Sequence, residues 1–276
     1  MNSFERHRPR LSQASRPLTV TIPARNEHGE EVPTAIAGEN PLTIYVDKRE
    51  LVTLMTLGAR PEALTLGWLL NQRMVKNIED ILSVQVDWEV EAVSVTTRNG
   101  LDDAEKKMST RTVTTGCGQG TMFGDLMEEI DSVALPTTAQ FSQDALYALL
   151  AEVRAYDSVY KAAGAVHGCA LAQCTPDGCE ILMFVEDVGR HNAVDAIAGQ
   201  MWLDGIEGGD KVFYTTGRLT SEMVIKTAQM GIPVLVSRSG LTQMGWEIAK
   251  RVGITMIGRA RGKHYLLFSG MENFTR

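Results

Sequence analysis

The feature that most constrains the fold is the rhythm of residues 211 to 257, where short β-branched runs alternate with helix-length amphipathic segments. A strand is expected at Lys211 to Thr215, a helix at Ser221 to Met230, a strand at Val234 to Ser237, a helix at Thr242 to Val252 and a strand at Ile254 to Ile257. Gly231 and Gly253 stand where helices stop, and Pro233 follows the first of them. Strands joined through helices by short loops need crossover connections, which gives an α/β sheet with parallel strands and helices on its faces. Just upstream, Gly168 to Cys174 and Cys179 to Val185 flank Thr175-Pro176-Asp177-Gly178, a turn signal that makes them a hairpin, and a helix follows near Asn192 to Trp202.

The N-terminal half reads differently. Leu42 to Val46 and Leu51 to Leu57 form a strand pair around a polar turn, and Pro61 opens a helix running to about Val75. Ile81 to Trp88 and Val90 to Thr97 are β-prone. Residues 98 to 120 read as a loop, with helix-compatible residues from Met122 to Ile130. A helix after Ser142 carries Leu146, Leu149, Leu150 and Val153 inward, with the serine as its N-cap. Residues 1 to 38 carry four prolines and little periodicity, which predicts a poorly ordered arm. The expected division is therefore an arm at 1–38, a small α+β region at 39–139 and an α/β ligand-binding domain at 140–276.

In an open α/β sheet, ligands bind where loops gather beyond the carboxyl ends of the strands. Three loops fall there: Glu186 to Asn192, Thr215 to Ser221 and Ser237 to Thr242. Each combines glycine with arginine, so backbone approach, helix N-termini and guanidinium groups favour a phosphate-bearing ligand. The competing reading is ordinary polar turns that cap helices. Candidate ligand residues are Asp187, Gly189, Arg190, His191, Asn192, Thr216, Gly217, Arg218, Ser221, Ser237 and Arg238. No Walker loop is present, because Gly208-Gly209-Asp210-Lys211 has the wrong spacing.

Cys117 lies between Gly116 and Gly118 ahead of a predicted helix, a setting that exposes the sulfur and favours thiolate. Its thiolate is suited to accepting the outer sulfur of a persulfide; the alternative is a small apolar side chain packed on the helix. The other cysteines, Cys169, Cys174 and Cys179, fall in or at the ends of strands, and with His167 they match no standard closed zinc spacing, so no metal is expected. Four cysteines do not make a disulfide scaffold in 276 residues, and a reducing, cytoplasmic compartment is expected. A net charge of -7 argues against nucleic acid as a general partner. The sequence lacks a run of eighteen apolar residues, so no membrane-spanning helix is expected.

Several of these segments resemble one known family. Glu186-Asp187-Val188-Gly189-Arg190-His191-Asn192-Ala193-Val194-Asp195 is similar to the most distinctive motif of the FdhD family. Thr216-Gly217-Arg218 through Ser221-Glu222-Met223-Val224, then Gly231-Ile232-Pro233, resembles its next block. Asn40-Pro41-Leu42, Leu66-Gly67-Trp68-Leu69-Leu70 and Gly164-Ala165-Val166-His167 resemble further family segments, and the last of these adds His167 to the candidate ligand residues. The resemblance implies a cytidine deaminase-like mixed sheet without that fold's zinc chemistry. It implies sulfur transfer from a cysteine desulfurase to a molybdenum bis-molybdopterin guanine dinucleotide cofactor, in the service of formate dehydrogenase, by a homodimer. The chain departs from the family in one place: its best-known members carry a second cysteine three positions on, where this sequence has Gly120. That departure leaves room for a chaperone that binds the cofactor without moving sulfur. A deaminase-like hydrolase is disfavoured, since His28-Gly29-Glu30 has no Pro-Cys-x-x-Cys to pair with.

Overall fold

The computed structural model describes residues 7–101, 130, 133, 135–136, 140–175 and 178–276. Cys117, the helix expected from Met122 to Ile130, and Pro176-Asp177 of the hairpin turn lie outside the described residues, apart from Ile130 itself.

The expected alternation builds a six-stranded sheet in the order β10-β9-β11-β12-β13-β14. Its strands are β9 (His167–Thr175), β10 (Gly178–Asp187), β11 (Lys211–Thr215), β12 (Val234–Ser237), β13 (Thr255–Arg261) and β14 (His264–Ser269). The three central strands run parallel, and β9, β10 and β14 are antiparallel to their neighbours. Helix α4 (Arg190–Asp204) leads from β10 to β11, and α5 (Ser221–Gln229) and α6 (Gln243–Val252) connect the parallel strands β11, β12 and β13. Successive strand residues serve two cores. Cys169, Leu171, Phe213, Leu235 and Met256 face the larger one with α4, α5 and α6. Ala170, Ala172, Val212, Tyr214, Val236 and Ile257 face the smaller one. The period-2 alternation therefore reads apolar on both faces because both are covered. The second cover is α2 (Gln143–Ala155), whose Leu146 and Leu149 are buried and whose first turn is capped by Ser142 Oγ accepting from Ala145 N at 3.1 Å. A short helix, α3 (Val159–Ala163), follows it.

A five-stranded sheet in the order β1-β6-β7-β4-β5 forms the N-terminal part. Its hairpin joins β4 (Asn40–Val46) to β5 (Arg49–Thr56) through Asp47 and Lys48, both at positive φ, as a tight two-residue turn requires. Strands β6 (Ile81–Asp87) and β7 (Ala92–Thr97) match their expected positions. Helix α1 (Pro61–Asn71) starts at its proline as expected but stops short of Val75, because Arg73 turns to a φ of 56° and unwinds the chain.

The arm expected at residues 1 to 38 is corrected by the structure, which places three strands there. β1 (Arg10–Leu11) adds in parallel to β6, and β2 (Thr19–Arg25) pairs with β3 (Glu31–Ala37) as a two-stranded ribbon. Pro23 and Pro33 stand directly opposite one another, and a two-stranded ribbon tolerates prolines because each strand has an unpaired edge. The chain before the ribbon is tied down by tertiary contacts that local sequence cannot reveal. Glu62 accepts from Ser12 Oγ at 2.6 Å and Ala14 N at 2.7 Å, and Arg8 pairs with Asp204 at 2.7 Å.

The two sheets share the larger core, joined by α1 packed against α4. The helices meet backbone to backbone at Gly67 and Gly199. A Cβ at Gly67 would lie 1.7 Å from the Asp195 carbonyl oxygen, and one at Gly199 would lie 1.9 Å from that of Ala63. The remaining strands, β8 (Phe141–Ser142) and β15 (Phe274–Thr275), form a short parallel pair.

Candidate functional site

The register of the large sheet brings the three predicted loops to one end. His167 opens β9 opposite Asp187, which closes β10, and Thr215 and Ser237 close β11 and β12 side by side. Because β9 is antiparallel to both β10 and β11, its first residue lies with their last ones. Backbone and hydroxyl bonds then knit the loops together. Thr216 N donates to Gly168 O at 2.9 Å, and Thr216 Oγ1 accepts from Gly168 N at 3.0 Å. Ser237 Oγ donates to Gly217 O at 2.6 Å and accepts from Ser239 N at 2.9 Å. Arg238 N donates to Thr215 O at 3.1 Å, and Leu219 N to Gly240 O at 2.9 Å.

The arginines that sequence reading picked out gather here. Arg190 is buried and its side chain crosses Gly217, where an added Cβ would lie 2.8 Å from Arg190 Cδ; glycine is needed for that passage. Arg238 is half-buried with its guanidinium 5.3 Å above the ring of Tyr160, and Arg218 is exposed. Half-buried His167 has its Nδ1 3.4 Å from Thr216 Oγ1. Burial and then Arg190, Arg238 and Arg218 push its pKa below the usual imidazole value. The three arginines thus sit in adjacent loops next to the N-termini of α4 and α5, which favour an anionic ligand as guanidinium groups do. Ser221 is half-buried in the first turn of α5, and the Thr220 hydroxyl before it is buried without a hydrogen bond.

Other predicted residues turn inward. Asp187 is 4% exposed, and its carboxylate accepts from Thr56 Oγ1, Leu57 N, Gly189 N and the Asn192 side-chain amide. Asn192 also donates to Met55 O at 2.7 Å. Burial raises the Asp187 pKa, opposed by those donors. Asp187, Gly189 and Asn192 thus lock the loop after β10 onto the end of β5, and the structure gives them a positioning task. Glu186 does similar work, accepting from Val159 N and Tyr160 N at the start of α3.

Behind the loops lies a buried polar chain of which sequence reading named only His191, as a ligand residue, whereas its ring is enclosed at 2% exposure. His191 Nδ1 is 3.3 Å from Glu222 Oε1, which lies 3.5 Å from Lys226 Nζ; that ammonium is 2.9 Å from Asp195, whose carboxylate accepts from Asn71 Nδ2 at 2.6 Å. Burial opposes the charge on Lys226, but Asp195 and Glu222 outweigh it and hold the pKa above its ordinary value. The available signals were the helical spacings His191–Asp195 and Glu222–Lys226, which place each pair on one face.

His191 is pushed down to about 2 by burial and then by Lys226, Arg190, His167 and Arg218. Below the ordinary imidazole value of about 6.5 the unfolded chain takes up a proton that the folded chain refuses, so His191 makes the fold less stable as pH falls. The expected loss approaches about 1.4 kcal/mol per pH unit. Urea unfolding between pH 7.5 and 5 should show His191→Gln with a flatter pH slope than the wild type; equal slopes would remove His191 from this account.

Cys169 is fully buried, donates to Thr215 Oγ1 at 3.3 Å, and has its thiol raised to about 12 by burial. Cys174 and Cys179 are joined by a disulfide across the β9–β10 hairpin, a feature the expectation of a reducing compartment did not include. Among the described residues no group of three or more His, Cys, Asp or Glu side chains could hold a metal ion, and no helix is long and apolar enough to cross a membrane.

The sequence model of the FdhD/NarQ family matches residues 37–275. A sulfur carrier protein FdhD from Listeria monocytogenes serotype 4b is 30% identical over 89% of this chain and 94% of its own length. The Bacillus subtilis protein of the same name is 27% identical over 90% of this chain and 94% of its own. A crystal structure from Desulfotalea psychrophila, described as a formate dehydrogenase accessory protein, superposes with a TM-score of 0.73 at 26% identity, covering 94% of this chain and all of that one.

Proposed function

Since the chain belongs to the FdhD/NarQ family, we propose that it is a sulfur carrier serving formate dehydrogenase, with Cys117 bearing the sulfur and the arginine loops holding a nucleotide-linked cofactor. The cofactor in this reading is a molybdenum bis-molybdopterin guanine dinucleotide, handled as cargo. The observation that carries the binding half is the sheet register, which brings the loops holding Arg190, Arg218 and Arg238 to one end beside His167, with Arg190 crossing Gly217. Guanidinium groups and helix N-termini fit the phosphates of such a ligand. Gly217 keeps the loop thin enough for Arg190 to cross it. The molybdenum is the atom to be sulfurated; the residues described here bind and orient.

For the sulfur half, Cys169 is enclosed in the core, and Cys174 and Cys179 lie at the far end of β9 from the arginine loops. Cys117, between two glycines, is the proposed carrier. Its thiolate attacks the outer sulfur of a cysteine desulfurase persulfide, forming a Cys117 persulfide and returning the donor cysteine as thiolate. With Gly120 in place of a second cysteine, one thiol both accepts and delivers. A homodimer is the proposed acting unit. Gly120 also favours a second reading, in which the chain presents the cofactor without moving sulfur.

Calorimetric titration with diguanosine 5′,5′-pyrophosphate tests the binding half, since this probe carries guanine and phosphates without molybdenum. Arg218→Ala and Arg238→Ala should each weaken binding by roughly tenfold or more, the usual loss for a charge-assisted hydrogen bond. Absence of binding to the wild type, or full affinity in both variants, would overturn the assignment of these loops.

A further inference from the structure

We propose that Cys174 and Cys179 form a second sulfur-handling site, a dithiol that takes sulfane sulfur from a persulfide and releases it as hydrosulfide, ending as the disulfide seen between them. The inference rests on the sulfur-carrier reading for its substrate class and on the hairpin for its site.

The two residues are direct partners in the β9–β10 ladder, with Cα atoms 4.0 Å apart, so their thiols are held face to face by the backbone. β10 is the edge strand of the large sheet. Both cysteines are half-buried, with exposed Thr175 and Glu180 beside them, so a small persulfide has access. They lie seven residues along β9 from His167, about 23 Å at ordinary strand rise, and are therefore separate from the arginine loops.

The hairpin does not depend on the covalent link. Its ladder runs from the Thr175–Gly178 pair to the His167–Asp187 pair, and Gln173 is anchored to Asp210 at 2.7 Å. The ring closed by the disulfide is short, with a sequence separation of 5, where cross-linking removes least chain entropy. The reduced form is also provided for, because Cys179 Sγ lies 3.1 Å from the Ala145 carbonyl oxygen, an acceptor for its S–H. A pair that costs the fold little in either state is suited to cycling between them.

The chemistry balances in two steps. One cysteine thiolate attacks the outer sulfur of a persulfide, which leaves as a thiolate, and the cysteine becomes a persulfide. The second thiolate attacks the inner sulfur of that persulfide, forming the disulfide and expelling hydrosulfide. The incoming persulfide is the oxidant, and a thiol reductant restores the dithiol.

The experiment uses the full chain carrying Cys117→Ala, so the result does not depend on whether Cys117 carries sulfur. After reduction and removal of reductant, glutathione persulfide is added; hydrosulfide is quantified and the cysteines are mapped by mass spectrometry. The expected result is one hydrosulfide and one Cys174–Cys179 disulfide per chain. Cys174→Ser and Cys179→Ser should instead retain a persulfide adduct of about 32 Da on the remaining cysteine, with hydrosulfide at background. Circular dichroism of both variants checks that the hairpin survives. A dithiol left unoxidised by the persulfide, or hydrosulfide release equal in folded serine variants, would overturn the proposal while leaving the Cys117 reading intact.

Discussion

Gly67→Ala is expected to destabilise the fold severely, although it adds one methyl group. The added Cβ would sit 1.7 Å from the carbonyl oxygen of Asp195, an atom of the α4 backbone that no side-chain rotation can move. α1 must then shift bodily away from α4, opening the core shared by the two sheets. Overpacking typically costs about 1–3 kcal/mol where side chains can yield. With backbone on both sides the expected cost is above about 3 kcal/mol, a large part of an ordinary domain's stability of about 5–15 kcal/mol. Gly240→Ala is the control, since a Cβ there meets no atom within 4 Å and the backbone needs no positive φ. Thermal unfolding should lower the midpoint of Gly67→Ala by about 6 °C or more and leave Gly240→Ala close to wild type. Similar midpoints for the two would show that the helices are not in backbone contact.

Lys226→Met carries the second large effect. Lys226 is 2% exposed and Asp195 is fully buried, so removing the ammonium strands a carboxylate away from water. Breaking a buried pair from one side costs about 3–5 kcal/mol, mostly the penalty of the abandoned charge. The pH dependence has a definite sign. Without Lys226 the folded-state pKa of Asp195 rises further above the unfolded value of about 3.9, so folding of the variant takes up a proton. The stability gap between the variant and the wild type should narrow as pH falls toward that value, and Asp195→Asn/Lys226→Met should regain much of the loss at neutral pH. Denaturant titrations at pH 5 and 7.5 check both points; a single variant as stable as the wild type at pH 7.5 would show that the pair is not buried as described.

Much of the architecture was legible because local and tertiary demands agree. The strands from Lys211 to Ile257 are apolar on both faces, and Gly231 and Gly253 take positive φ where the helices end. The arm was misread because its prolines break periodicity, while its order comes from distant partners such as Glu62 and Asp204. The end of α1 was misplaced because apolar residues continue past Asn71 into the core after the helix has unwound.

The arrangement of the candidate site was legible in part. Glycine-arginine loops after strands named Arg190, Arg218 and Arg238, and sheet order brought them together. The same reasoning put Asp187 and Asn192 on the ligand, whereas their polar atoms hold β5. Sequence adjacency cannot separate a side chain facing a ligand from one facing the chain's own backbone. Lys226 and Asp195 were missed for the complementary reason: charged residues in helices read as solvated until the packing shows them enclosed.

The proposed role of Cys117 as sulfur carrier is tested by mass spectrometry with peptide mapping after incubation with a cysteine desulfurase and cysteine. The account predicts an adduct of about 32 Da on the Cys117 peptide, removed by thiol and absent in Cys117→Ala. An unmodified Cys117 in the presence of demonstrably active desulfurase would contradict it.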